Sequence, residues 1–515
     1  MVQPERAYRD ARPLDGVAGA RLAAVARRPP QHRGALIGAL LLSIGVSLAA
    51  SYGVAARGRE RIRKANEIYT RIVRQTDDIE AKLAHGDPEL AVQMWFRLRD
   101  SVQGLQRGDP SNPGLRLIAA DAYMTLGRFA SFRYSNSLVD PDAALESYRR
   151  AVDLFDPAQT QSALYRSSTP RIYATDVMIE KGRAFESFRE VARVLPAIEL
   201  MRRIDPPASQ WPQLADFGSY YDMISDRLGA NMQWLPAAHQ SRDWYGELAA
   251  LHPYRATDTI ALHLYEQSMA KAGEAAGTVL IRFQLGRLQH QTGKKEEGIR
   301  TLRQTLQAML TTGEGATPDR IARTYSRIAQ ALEQDGDLAE AVRYLDKAVE
   351  TIGEPQNPYL REVLGEALVS RGRVLARSAR PSDALASAKR GIQLLSDNAI
   401  RGAAPALALD LAAQRLLTVE PAQLRDPDRA LRFAQQAVEQ TAGEMAPYLV
   451  TLAVAESAAG RETEARLTAA RALDAYRNIA DILAPVFDAA RDPEAASLYR
   501  EWRDQLHPHQ SRERK

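Results

Sequence analysis

The chain of 515 residues contains no cysteine. That excludes disulfides, thiolate metal sites and a cysteine nucleophile. It does not fix the compartment, because a cysteine-free chain is comfortable on either side of a membrane. Aromatic residues are scarce, at 7%, and Val, Ile and Thr nowhere alternate as in half-buried strands, which argues against a sheet. Also missing are the phosphate-cradling GxxxxGK[ST], a nucleotide-binding GxGxxG, HExxH and GxSxG. The eight histidines are scattered. His507 and His509 fall in a polar tail, where two imidazoles alone make a poor metal site, and His252 and His263 fall on different predicted helices. Acidic pairs such as Glu296-Glu297 sit on solvated faces. No nucleophile, base and orienting group come together. The expectation is a protein with no catalytic residue, no metal and no cofactor, and not an enzyme.

A strong excess of one sign is missing from most of the chain, despite a net +4 and an isoelectric point near 9.1. Residues 1–33 carry a net +4 and residues 57–74 a net +5, so the remainder is net −5. A DNA-binding face needs its basic excess on the folded domain, so no nucleic-acid partner is expected. The excess instead flanks an apolar run. Arg27, Arg28 and Arg33 on one side and Arg57, Arg59 and Arg61 on the other suit anionic lipid head groups, at about 1 kcal/mol each near the surface.

That run, Gly34–Ala56, reads GALIGALLLSIGVSLAASYGVAA, with no charge. As a helix it covers about 34 Å, enough for a hydrocarbon core of about 30 Å. A cleaved signal peptide ending at Val54-Ala55-Ala56 is the competing reading, but the run is long for such a segment and the basic tail before it is long too. A retained single-pass helix is therefore expected. Small residues recur every four positions (Gly34 and Gly38; Gly45, Ala49 and Gly53; Ser43, Ser47 and Ser51), a spacing that lets two membrane helices approach. Beyond it, Ile62, Ala65, Tyr69, Ile72, Thr76, Ile79 and Leu83 form an a/d seam. Either two copies pair there as a dimer stalk, or the seam packs on the following domain. His85-Gly86-Asp87-Pro88 ends the helix. Basic residues within about 20 positions of the run favour the C-terminal side as cytoplasmic, yet long domains translocate largely regardless of charge.

The remaining stretch is too long for one ordinary core, which stops growing near 250–300 residues, and it is rich in the helix formers Ala, Leu, Arg, Glu and Gln. It repeats. In Ile321–Glu350, Tyr325, Ile328, Ala329 and Leu332 line a first helix, Gln334-Asp335-Gly336-Asp337 turns the chain, and Ala341, Leu345 and Ala348 face back from a second. The frame returns at Leu285, Gly286, Gly293, Gly298 and Leu302; at Leu368, Gly372, Leu375, Ala384, Ala388 and Gly391; at Ala430, Ala434 and Ala437; and at Leu449, Leu452, Ala453, Gly460, Ala465, Ala469 and Ala472. Upstream, Ala120, Tyr123, Gly127, Ala144, Tyr148 and Ala151 fit with an insertion. These positions resemble the tetratricopeptide repeat, firmly over 279–477 and loosely before that, at a spacing of 35–46 residues against about 34 for the minimal repeat.

The expected fold is all-α: a single transmembrane helix followed by an α-solenoid of tetratricopeptide-like helix pairs. The expected segments are a disordered basic tail (1–33), the membrane helix (34–56), a juxtamembrane amphipathic helix (57–84), a degenerate N-terminal repeat segment (85–210), the C-terminal solenoid (211–507) and a tail (508–515). Pro170, Pro196, Pro206, Pro207 and Pro212 are expected to break the helices of 157–212, making a joint. Tyr220, Tyr221, Trp234, Trp244 and Tyr245 fill a wide gap between long helices or line an aromatic pocket. Residues 479–506 look like a final amphipathic pair.

The order of basic tail, apolar helix, charged helix and repeats also resembles the C-terminal half of membrane-bound bacterial serine/threonine kinases, and Ala422–Glu439 (AQLRDPDRALRFAQQAVE) is similar to a repeat variant of that family. With no Gly-rich loop and no HRD here, and with Asp216-Phe217-Gly218 standing alone without them, kinase activity does not carry over. The resemblance implies a bacterial inner-membrane protein with extracytoplasmic repeats and a sensing or scaffolding role.

The function expected first is a membrane-anchored scaffold holding partner proteins in the groove of its first helices. The repeat resemblance maps that groove to Arg287, His290, Arg323, Ser326, Gln330, Glu333, Arg373 and Arg377. Four arginines suggest an acidic peptide or a C-terminal carboxylate. The alternatives are a structural subunit of a larger membrane complex, the sensory part of a signalling system or, least favoured, an enzyme with a site in 211–253.

Overall fold

The computed structural model describes residues 88–108, 113–131, 140–155, 161–202, 211–229, 243–273, 278–355, 358–400 and 404–507, with scattered positions from Glu67 to Ile79. Among these there is no strand. The elements are helices: α1 (Pro88–Gly108), α2 (Pro113–Ala130), α3 (Pro141–Phe155), α4 (Gln161–Glu180), α5 (Ala184–Arg202), α6 (Trp211–Arg227), α7 (Asp243–Ala250), α8 (Arg255–Ala272), α9 (Val279–Gln291), α10 (Lys295–Thr312), α11 (Pro318–Asp335), α12 (Leu338–Ile352), α13 (Pro358–Arg377), α14 (Pro381–Ile400), α15 (Ala406–Thr418), α16 (Pro427–Gln440), α17 (Ala446–Ala458), α18 (Glu462–Ala490) and α19 (Pro493–Leu506). The expected membrane segment 34–56 and the tails 1–33 and 508–515 lie outside the described residues. Among the described helices none is long and apolar enough to cross a membrane.

The chain forms two compact units, residues 1–177 with 275–277, and residues 178–274 with 278–515. In the first, α2 and α3 pair, and Gly127 admits the ring of Tyr148, which a Cβ would meet at 2.6 Å. Of the upstream seam, Ile72, Thr76 and Ile79 are buried within the single chain. This favours the seam packing on the chain's own domain over a two-copy stalk.

In the second unit the hairpins α9–α10, α11–α12, α13–α14, α15–α16 and α17–α18 follow one another, each helix packed on its partner and each hairpin on the next. The α11–α12 hairpin shows why. Thr317 precedes Pro318, whose fixed φ suits a first helical turn. Tyr325, Ile328, Ala329 and Leu332 are buried, as are Ala341, Leu345 and Ala348 opposite. Gly336 takes the left-handed φ of +87° that ends α11, and the Asp337 carboxylate accepts from the Glu340 amide to start α12. Where a hairpin uses glycine, the helices close further. A Cβ on Gly298 would lie 2.7 Å from the Gly286 carbonyl oxygen and 2.6 Å from the His290 nitrogen.

Two expectations are corrected. Pro170 and Pro196 do not break helices but lie inside α4 and α5. A proline in a helix interior costs about 3 kcal/mol; packing of an apolar stripe outweighs it, and Phe188, Val191 and Leu195 of α5 are buried where α5 packs on α18. The pair expected over 479–506 is also different. Its first member is the second half of the long α18, which runs through Pro485, and α19 alone follows. These last helices return to the first ones of the unit. α18 packs on α5 and α7, and α19 on α8. The Trp244 indole donates to Glu462 at 2.9 Å, His263 Nδ1 sits 2.8 Å from Asp492, and the Phe185 amide donates to Glu444 at 2.8 Å.

Candidate binding face

Within the second unit, first helices meet first helices. α9 touches α11, α11 touches α13 and α15 touches α17, while the second helices of successive hairpins make at most marginal contact. Helices α13 and α15 meet at most marginally, so the first helices present a face in two stretches, α9–α11–α13 and α15–α17. Along it the pairs at i and i+4 change sign from α11 to α13: Arg323 and Arg327 are followed by Glu362 and Glu366, and α15 then offers Arg415.

Most of these charges are answered inside the chain. Arg415 grips Glu366 with two hydrogen bonds, at 2.7 and 2.5 Å. Arg323 lies 3.8 Å from Glu362 and 5.1 Å from the centre of the Tyr359 ring. Arg287 on α9 pairs with Asp222 of α6, both buried. The expected groove residues are thereby sorted. Glu333 is buried and accepts from Arg373 at 2.9 and 2.8 Å and from Arg377 at 3.0 Å. This trio staples α11 to α13. The expectation that four arginines await an acidic ligand is corrected accordingly, since Arg287, Arg373 and Arg377 each already hold a carboxylate. Ser326 and Gln330 remain half-buried on α11.

Three of the expected residues come together elsewhere. Arg287, His290 and Gln330 line a cavity of about 130 Å³ with Gln291, Gly293, Lys295, Leu302, Arg327 and Gln334. Arg327 and Lys295 were missed by the sequence reading. The available signal was the i,i+4 repetition of Arg323 and Arg327 on one face. Arg327 donates to Gln330 at 3.1 Å, and no carboxylate pairs with it among the described residues. Burial, reinforced by nearby Arg287 and opposed by Asp226, lowers its pKa to about 10. Burial also lowers that of His290, with Lys295 and Arg327 adding to the effect and Asp335 opposing it. Behind Arg287, burial raises the Asp222 carboxyl, and it raises Asp258 to about 7 even though Arg287 and the Ser225 hydroxyl oppose the shift. Burial would lower Arg287, but Asp222, Asp226 and Asp258 outweigh it and the net shift is upward.

The aromatics of 211–253 are core. Tyr220, Tyr221, Trp244 and Tyr245 are buried, which favours gap filling over an aromatic pocket; Trp234 lies outside the described residues. Among the described residues no group of three or more His, Asp or Glu is placed to hold a metal ion.

The sequence model of the tetratricopeptide repeat matches residues 322–352. This is the α11–α12 hairpin, so the chain carries helical repeats of that type. No curated protein matches the chain. Among solved structures, it is similar to a Rap protein complexed with Competence and Sporulation Factor, at 10% identity and a TM-score of 0.42, over 80% of this chain and 99% of that one. It is similar to aspartyl phosphate phosphatase F from Bacillus subtilis, at 10% identity and a TM-score of 0.35, over 78% and 93%. It is also similar to a Signal Transduction ATPase with Numerous Domains protein with a tetratricopeptide repeat sensor from Pyrococcus horikoshii, at 12% identity and a TM-score of 0.32, over 91% and 72%.

Proposed function

We propose that this protein is a membrane-anchored scaffold whose second unit binds a partner protein along the first-helix face. The observation that carries the reading is the division of labour on α11. Its buried stripe, Tyr325, Ile328, Ala329 and Leu332, holds the hairpin together, while Ser326 and Gln330 stay partly open beside it. A face with polar groups left over, set on rigid helices, is what a helical-repeat binder needs. Anchoring rests on the uncharged run 34–56 and its basic flanks, including Arg27, Arg28, Arg33, Arg57, Arg59 and Arg61. The site is a bacterial inner membrane crossed once, with the repeats extracytoplasmic. Dimerisation, in this reading, rests on the small residues of the membrane helix, because part of the downstream seam is already covered.

The test is affinity purification of full-length protein from solubilised native membranes. Ser326→Trp places a bulky ring on the face without touching a buried position, and it removes the co-purifying partner. Arg343→Glu, on the exposed side of α12, retains it. Partner recovery that is unchanged by Ser326→Trp overturns the face assignment and leaves the structural-subunit reading. Protease treatment of intact and permeabilised cells reads the side: cleavage of the repeats without permeabilisation of the inner membrane is expected.

A further inference from the structure

The cavity between α9, α10 and α11 differs from the rest of the face in what its walls offer. Three of its lining residues are Arg287, Lys295 and Arg327, and no carboxylate lines it. The two glutamines nearest the arginines have their oxygens already engaged. Gln291 accepts from Arg287 Nη1 at 2.8 Å, and Gln330 accepts from Arg327 Nη1 at 3.1 Å. Each amide therefore keeps its NH₂ to donate. His290 Nε2 is buried with no hydrogen-bond partner, an arrangement that calls for a missing group. Leu302 supplies the apolar part of the wall. Ammonium, guanidinium and amide donors surround a space with few acceptors.

Charge narrows the ligand. Arg287 is neutralised by Asp222, whereas Arg327 and Lys295 pair with no carboxylate among the described residues. Two positive charges are left for the occupant.

We propose that this cavity binds a dianionic phosphoryl group, the phosphate of a monoester, with Arg327 and Lys295 supplying the charge and His290, Gln291 and Gln330 the further donors. Phosphate is compact, presents several acceptor oxygens and carries close to two charges above its second ionisation near pH 6. A carboxylate leaves one cation and part of the donor set unanswered. Burial, with the neighbouring Arg287 adding to it, depresses the Arg327 pKa, and an anion seated against the guanidinium offsets that cost. The inference goes beyond the scaffold reading and does not rest on it, because the probe is an ion and the readout involves no partner protein.

The test is titration calorimetry of the full-length protein with inorganic phosphate at pH 8, with chloride holding the ionic strength constant. One phosphate per chain is expected, and acetate at the same ionic strength should not displace it. Lys295→Gln, at an exposed position, and Arg327→Gln are each expected to weaken phosphate at least tenfold, with the melting temperature of Lys295→Gln unchanged. Absence of phosphate binding, equal affinity for acetate, or wild-type affinity in Lys295→Gln each overturns the proposal. Glycerol 3-phosphate and a phosphoserine heptapeptide then separate a metabolite from a modified side chain as the source. Whichever binds more tightly than inorganic phosphate names the source, and weaker binding of both overturns the assignment to a monoester.

Discussion

The α11–α12 hairpin and the α6–α8 segment lie in the same unit and are held by opposite means. In the hairpin, small residues let two helices close, and the buried set is aliphatic with one tyrosine: Ala322, Tyr325, Ile328, Ala329, Ala341 and Ala348. In α6–α8 the buried set is Phe217, Tyr220, Tyr221, Trp244, Tyr245 and Tyr265 together with Asp222 and Asp258. Tyr221 donates to Glu199 at 2.9 Å and Ser225 donates to Asp258. Close-packed small residues tolerate no added volume, because backbone meets backbone. A core of rings and buried acids tolerates volume better and is sensitive to charge.

Glycine substitutions break this comparison most severely. At Gly298, in the adjoining α9–α10 hairpin that closes on small residues in the same way, a new side chain meets the backbone of α9 at 2.6 and 2.7 Å. At Gly218 it meets the Tyr265 ring at 2.9 Å, and a ring can tilt. Gly298→Ala is expected to cost about 3 kcal/mol, and Gly218→Ala about 1 kcal/mol, read as the shift in denaturant midpoint. An equal cost at both positions would remove the distinction between the two kinds of core.

Buried acids give the next effect. Burial raises Asp410 to about 7, more than its hydrogen bonds from Thr451 and Gln414 offset. The folded chain holds this proton up to about pH 7, whereas the unfolded chain releases it near pH 4. The folded state therefore binds more protons between those values, and stability falls as pH rises through the window. Asp410→Asn keeps the shape and the Gln414 contact at 2.6 Å and removes the titration. It is expected to flatten the dependence between pH 4 and 7 and to add about 2 kcal/mol at pH 8, measured by chemical denaturation across that range. Asp258, also at about 7 but beside Arg287, gains less from the same change because Asn forfeits that attraction.

The smallest effect sharpens the role of the stapling arginines. Arg373→Glu sets a carboxylate against buried Glu333, with Arg377 still paired to it. A loss of about 1–2 kcal/mol is expected, visible as a lower melting temperature before any partner is added. Unchanged stability would return Arg373 to the set of ligand-facing residues.

The same contrast explains what was legible in the sequence. Ala341, Leu345 and Ala348 opposite Tyr325 and Ile328, with Gly336-Asp337 between, announce a hairpin because the steric demands of close helices admit few residues. The packing of α5 on α18 was not legible, since it joins segments more than 250 residues apart and has no periodic trace. Pro170 and Pro196 pointed the wrong way, because a local penalty says nothing of the packing that offsets it. Among site residues, first-helix placement brought out Arg287, His290 and Gln330. It also put Arg373 and Arg377 in the groove, because spacing along α13 cannot reveal that Glu333 on α11 claims both. Arg327 and Lys295 were passed over for the converse reason: what sets them apart is a missing counter-charge, a property of neighbours far away in sequence.

The first-helix face is tested most directly by photo-crosslinking in native membranes. A photoreactive side chain is placed at Gln330 of α11 in one protein and at Arg343 of α12 in another, and adducts are resolved by mass. A discrete protein adduct from position 330 and none from 343 is the predicted result. The same adduct from both positions, or from 343 alone, would contradict the account.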